Sequence, residues 1–255
     1  MDNMYDAPEL VARYQQGRFP DIDPRVQPGQ PFSDRFKFIG DYLILKLPRF
    51  RAVLDAGCAN GILGAILREN RPDLRYTGLD ASDPLLAAGR AQFGDLRLVR
   101  GRIEQLPVKD NSAQAVVCGG TLWYCPDPPA ALEALYRAAS RVLLADIVFL
   151  PDRDRGFAST QVIDGHTQSV SLMGNKQMQA LLAHLHGIQP FKDLREGKRF
   201  MHYPINPQAA GLNELNGELV QGFCVLFEKR ISASFTKIFN TLAAERPAEE
   251  DETQR

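Results

Sequence analysis

From residue 52 onward the sequence alternates short, β-rich apolar runs with amphipathic helical patterns, and this rhythm restricts the fold more than any other feature of the chain. Strands are expected at 52–56, 75–79, 97–99, 113–118 and 141–149, with helices between them at 61–69, 84–93 and 129–139. Continuous apolar strands of this kind require burial on both faces, which a parallel sheet covered by helices on both sides provides. Right-handed crossovers then wind the chain in two directions from the first strand. A further helix at 175–186 and strands at 188–194 and 219–228 complete the expectation. The fold class is α/β: a doubly wound, mostly parallel seven-stranded sheet with helices on both faces.

The flanks read differently. Residues 1–50 form an expected N-terminal helical cap, with one helix at 7–16, a proline-rich loop, and a second helix at 36–47 leading into the sheet. The sheet domain runs over 51–230 and carries two irregular insertions, 151–173 and 195–218, the second lying before the last strand and longer than ordinary connections. A C-terminal helix is expected at 231–244. The acidic tail 245–255 has no apolar side chain larger than alanine and is expected to be disordered.

Thirty basic against thirty-one acidic residues leave a formal charge of -1, so no global field favours nucleic acid or an anionic polymer as partner. No apolar run approaches the roughly 20 residues of a membrane span, and the N-terminus is acidic and polar where a signal peptide is basic and then apolar. The expectation is a cytoplasmic protein with no membrane association, a monomer or homodimer. Cys58, Cys118, Cys125 and Cys224 show no C-x-x-C spacing and read as reduced thiols, with no metal site expected.

The run from Ala52 to Gly64 reads as a buried strand, a turn of small residues and a helix start. Glycine at such a turn lets backbone approach a ligand, and the helix offers unpaired amides, but many nucleotide binders and simple tight turns share this arrangement. Asp55 sharpens the reading, because a carboxylate before the first glycine repels a pyrophosphate and suits a ligand bearing an ammonium group. Asp80 closes the next strand, where two acceptor oxygens match the two adjacent hydroxyls of a ribose. Together the two carboxylates point to one nucleoside with a cationic amino-acid arm.

Four segments in order, over roughly Val53 to Val148, make the chain resemble the class I, Rossmann-like S-adenosylmethionine-dependent methyltransferases. They are the loop Asp55-Ala56-Gly57-Cys58-Ala59-Asn60-Gly61, the segment Gly78-Leu79-Asp80-Ala81-Ser82, the segment Gly101-Arg102-Ile103-Glu104-Gln105-Leu106-Pro107, and Asp110 to Val117 followed by Leu122-Trp123-Tyr124-Cys125-Pro126-Asp127-Pro128. The resemblance implies S-adenosylmethionine as cofactor and S-adenosylhomocysteine as product. It implies a cofactor site built from Asp55, Gly57, Cys58, Ala59, Asn60, Gly61, Asp80, Ala81, Arg102, Ile103, Glu104, Gly119, Gly120 and Thr121. Two departures stand out: Arg102 occupies the place of an aspartate that in relatives often bonds the adenine amino group, and Ala59 that of a frequent second glycine.

The function expected from the resemblance is methyl transfer to a small-molecule acceptor, at oxygen. Proximity and desolvation supply much of the rate, and a general base is needed only for an acceptor that carries a proton near neutral pH. Tyr124, His166 and His202 are the candidates for that base. Trp123 and Tyr124 offer ring faces to a sulfonium or a flat acceptor, or else pack the pocket wall. Two other readings remain open: the same fold acting on RNA or protein, and a non-catalytic cofactor-binding or scaffold module, which Arg102 invites.

Overall fold

In a computed structural model of the chain, the described residues are 6–15, 43, 49–163, 166–186, 200–205, 214–215 and 218–228. Five strands begin the sheet: β1 (Ala52–Ala56), β2 (Arg75–Asp80), β3 (Arg97–Arg100), β4 (Ala113–Cys118) and β5 (Ala139–Leu150). The helices are α1 (Pro8–Gln15), α2 (Ile62–Asn70), α3 (Asp83–Phe93), α4 (Pro128–Ala138) and α5 (Asn175–His186). Local signals fix several of these ends. Ser82 caps α3 by accepting the Leu85 amide at 3.3 Å, and Asp127 caps α4 by accepting that of Ala130 at 3.0 Å; a proline stands in the first turn of each.

Later strands are β6 (Phe157–Ile163), β7 (His166–Gly174), β8 (Phe200–Ile205), β9 (Glu214–Leu215), β10 (Glu218–Leu219) and β11 (Gln221–Glu228). The main sheet runs β3-β2-β1-β4-β5-β11-β8, seven strands of which β11 is antiparallel to both its neighbours. The doubly wound, mostly parallel architecture expected from the alternation is the one observed. Side chains of alternate strand positions separate into two cores. One holds Val53, Tyr76, Val117 and Leu144 with Leu63, Leu67 and Leu86 of α2 and α3. The other holds Leu54, Leu79, Val116 and Leu143 with Leu132, Leu135, Leu182 and Leu185 of α4 and α5.

Two segments depart from the sequence reading. Residues 151–173, read as irregular, contain the β6–β7 hairpin, whose register pairs Ile163 with His166 and leaves Asp164-Gly165 between the strands. An Asp-Gly pair between β-branched runs is a strong hairpin signal, masked here by the serines, threonines and glutamines on both strands. The hairpin joins the sheet where Phe149 and Leu150 of β5 run parallel to Met173 and Gly174, beyond the end of β4. Residues 195–218, read as an insertion, contain the edge strand β8, where Pro204 is tolerated because an edge strand has one unpaired side. The strand expected at 188–194 lies outside the described residues, as do the C-terminal helix, the acidic tail and all of the second cap helix except Leu43.

Candidate functional site

Following the register, Asp55 of β1 is level with Gly78 of β2, Val117 of β4 and Leu144 of β5, all running in one direction. Asp80 therefore lies two residues further toward the C-terminal edge of the sheet, where loops cross from strand to helix. The loop after β1 folds onto β2: the Gly57 and Cys58 amides donate to the Leu79 carbonyl at 2.7 and 3.1 Å, and the Ala59 amide donates to Asp80 Oδ2 at 2.8 Å. Gly57 has φ of 79°, and a Cβ there would stand 2.2 Å from Thr121 Oγ1, so the loop after β4 is seated directly on it.

Asp55 is 4% exposed and accepts a hydrogen bond of 2.6 Å from the Tyr76 hydroxyl. Burial pushes its carboxyl up to about 7; the Tyr76 bond pulls the other way and the charge of Asp80 adds to the rise. Burial likewise raises Asp80, to about 6, against the backbone amides of Ser82, Ala59 and Ala81, with Asp6 adding a further rise. Neither carboxylate has an ion-pair partner among the described residues. Asp80 Oδ1 accepts the Ser82 amide at 2.9 Å and Oδ2 that of Ala59, and a carboxylate with about four acceptor sites keeps capacity for further donors.

The other predicted residues divide by what they touch. Asn60 is buried, donating to the Tyr14 carbonyl at 3.1 Å and to Gln92 Oε1 at 3.3 Å, while its Oδ1 accepts the Ile62 amide at 3.3 Å. It ties α1 and α3 to the loop and takes the first amide of α2, whose N-cap is Gly61. Cys58 is buried under Gly78, and burial beside Asp55 and Asp80 drives its thiol well above the usual range. Gly61 turns the chain into α2 with φ of 81°. Ala81 is exposed and Ile103 buried.

Arg102 is largely exposed, its Nε 3.8 Å from Glu104 Oε2; the other oxygen of Glu104, Oε1, is buried with no hydrogen-bond partner among the described residues. After β4, the Thr121 hydroxyl donates to the Gly119 carbonyl at 3.3 Å, and the Gly120 amide donates to Asp146 Oδ2 at 2.8 Å. Trp123 is 2% exposed, with its ring 5.6 Å from that of half-buried Tyr124. A face so buried packs the wall and leaves Tyr124 as the accessible ring of the pair. His166 opens β7, seven residues before the Met173 pairing with β5, roughly 23 Å along the strand. His202 sits in β8 opposite Val225.

A model of the methyltransferase domain family matches residues 54–141, the stretch from the end of β1 to the start of β5 that carries both carboxylates. Residues 54–141 are thus similar to the methyltransferase domain family. A malonyl-[acyl-carrier protein] O-methyltransferase of Pectobacterium atrosepticum is 32% identical over 108 residues, 42% of this chain and 42% of that protein. The likeness thus spans less than half of the relative. Among solved structures, the [4+2]-cyclase SpnF superposes with a TM-score of 0.57 at 13% identity, covering 90% of this chain and 95% of that one. The 1,6-didemethyltoxoflavin-N1-methyltransferase of Burkholderia thailandensis superposes with a TM-score of 0.52 at 17% identity, covering 88% and 86%. At such identities these structures speak for the fold.

Within this stretch the fold brings together Asp55, the 57–61 loop, Asp80 and the 119–121 loop. Sequence reasoning missed three residues that hold them: Tyr76, Gly64 and Asp146. Asp146 is wholly buried in β5, and a lone acid in the run Leu143-Leu144-Ala145-Asp146-Ile147-Val148 was the signal that could have found it. A separate surface cavity of about 560 Å³ is lined by Asp154, Arg155, Gly156, Lys176 and Gln177, none of them a predicted site residue.

Proposed function

We propose that the chain binds S-adenosylmethionine at the C-terminal edge of β1, β2 and β4 and transfers its methyl group to a small-molecule acceptor, at oxygen. The observation that carries the reading is the pair of raised, largely buried carboxylates, Asp55 and Asp80, on adjacent strands of a methyltransferase domain with no cation among the described residues to balance them. A cationic nucleoside relieves that imbalance. The residues present fit the group: the spare lone pairs of Asp80 suit the ribose hydroxyls, Asp55 suits the amino-acid ammonium, and the amides of the 57–61 turn lie between them. The backbone at Ile103 and the buried Oε1 of Glu104 suit the side where the base would rest, with Arg102 largely exposed beside them.

S-adenosylmethionine supplies an electrophilic methyl on a cationic sulfur. The chain's part is to fix that end against the 119–121 loop, keep water out with Leu122 and Trp123, and present the acceptor beside Tyr124. The O-methyltransferase relative supports oxygen as the attacked atom. A carboxylate acceptor is ionised at neutral pH and needs no base; Tyr124 serves only for an acceptor that must lose a proton, and His166 and His202 lie on strands outside this loop cluster. The near-zero net charge supports a small acceptor rather than RNA. Among the described residues no helix is long and apolar enough to cross a membrane.

Calorimetry with S-adenosylhomocysteine tests the cofactor assignment, and incubation with S-adenosylmethionine and a panel of carboxylic acids, phenols and amines tests the acceptor. One-to-one binding and an O-methyl product are expected. A protein that binds neither cofactor form refutes the assignment, and an N-methyl product refutes the acceptor atom.

A further inference from the structure

Asp55 is buried, and among the described residues its side-chain hydrogen bond comes from Tyr76, itself 5% exposed. The ring that carries this hydroxyl lies against the backbone of α2: a Cβ on Gly64 would stand 2.4 Å from ring atom Cε1 and 2.5 Å from Cζ. Gly64 therefore makes the room, β2 supplies the ring, and the ring delivers an O–H at 2.6 Å to one oxygen of the carboxylate. A phenol donating to a buried carboxylate favours its charged form and fixes its plane.

We propose that Tyr76 is a positioning residue of the cofactor site, whose hydroxyl holds the Asp55 carboxylate ready for the cationic amino-acid arm and whose ring is admitted by the absent side chain of Gly64. This rests on the cofactor reading above and adds a division of labour to it. Asp80 acts on the nucleoside, and the Gly64–Tyr76–Asp55 relay acts on the amino-acid arm alone.

Two ligands separate these roles: S-adenosylhomocysteine has the ammonium, and 5′-methylthioadenosine keeps the nucleoside and lacks the arm. Calorimetry at pH 7 on Tyr76→Phe is expected to show S-adenosylhomocysteine affinity falling about fivefold, as the ionised share of Asp55 drops from about half to about one-eleventh, with methylthioadenosine affinity unchanged. Gly64→Ala, which gains helix propensity while pushing the ring away, is expected to give the same selective loss. Unchanged binding of both ligands in Tyr76→Phe overturns the inference. Equal loss of both in the two variants also overturns it, since a merely structural role would spread to the nucleoside. A wild-type protein that binds neither ligand overturns the cofactor reading, and the inference with it.

Discussion

Lowering pH from 8 to 6 is expected to weaken S-adenosylhomocysteine binding about tenfold, and the number follows from Asp55. With its carboxyl near 7 in the free protein, the ionised fraction that can receive an ammonium falls steeply below that pH. Affinity scales with that fraction, so it is nearly full at pH 8 and about one-eleventh at pH 6, roughly 1.4 kcal/mol. Asp80, near 6, adds a second and steeper limb below that. The groups that set the Asp55 value are Tyr76 and Asp80, with Cys58 coupled to both carboxylates and to Arg90.

The free protein behaves in the opposite sense. Both carboxyls are raised above the unfolded value of 3.8, so the stability they contribute is whole below about pH 4 and is lost as pH rises through 6 and 7. The loss is on the order of a few kcal/mol. Calorimetry at constant ionic strength measures affinity, and thermal melts with and without ligand measure the contrast. Asp55→Asn should bind more weakly and lose the limb between pH 7 and 6. Wild-type affinity that stays flat from pH 6 to 7.5, or an Asn variant that keeps the slope, refutes the reasoning.

Asp80→Ala should weaken cofactor binding by ~1–3 kcal/mol through loss of charge-assisted bonds to the ribose, and it also frees the Ala59 and Ser82 amides; unchanged affinity in calorimetry removes Asp80 from the site. Gly57→Val places a branched side chain at φ of 79° against Thr121, so it should abolish binding in a protein that circular dichroism still reports as folded. Asp146→Ala should cost about 1.5–3 kcal/mol in urea denaturation by leaving the Gly120 amide unpaired, while Asp146→Asn, which can still accept that bond, should recover most of it.

The sheet was legible because its signals are local and repeated. The runs at 52–56 and 113–118 coincide with β1 and β4, since an apolar run bounded by turn residues leaves few alternatives. Asp55 and Asp80 were legible as acids at strand ends, but not what binds them. Tyr76 is an ordinary strand residue in sequence, and only the register, which sets it level with Val53, two residues short of Asp55 on the same face of the neighbouring strand, puts its hydroxyl within reach of that carboxylate. The hairpin and β8 escaped notice for another reason. Their residues mix polar and apolar side chains without the continuous apolar run of a doubly buried strand, and edge or hairpin strands carry weaker patterns.

The three acids Asp55, Asp80 and Asp146 share one face of the sheet at its C-terminal edge, each placed by strand register rather than by contact in sequence. Each is bound differently. Asp80 holds the loop after β1 through the Ala59 amide, Asp146 holds the loop after β4 through the Gly120 amide, and Thr121 of that second loop rests on Gly57 of the first. The two loops are thus clamped from below by carboxylates and against each other by a contact that only glycine at 57 permits. Among the described residues Asp55 takes no backbone amide and is held by the Tyr76 side chain. Of the three, it is therefore the carboxylate least committed to the scaffold, which is why a charged ligand should be felt first in its titration and why Tyr76, rather than either loop, should govern that response.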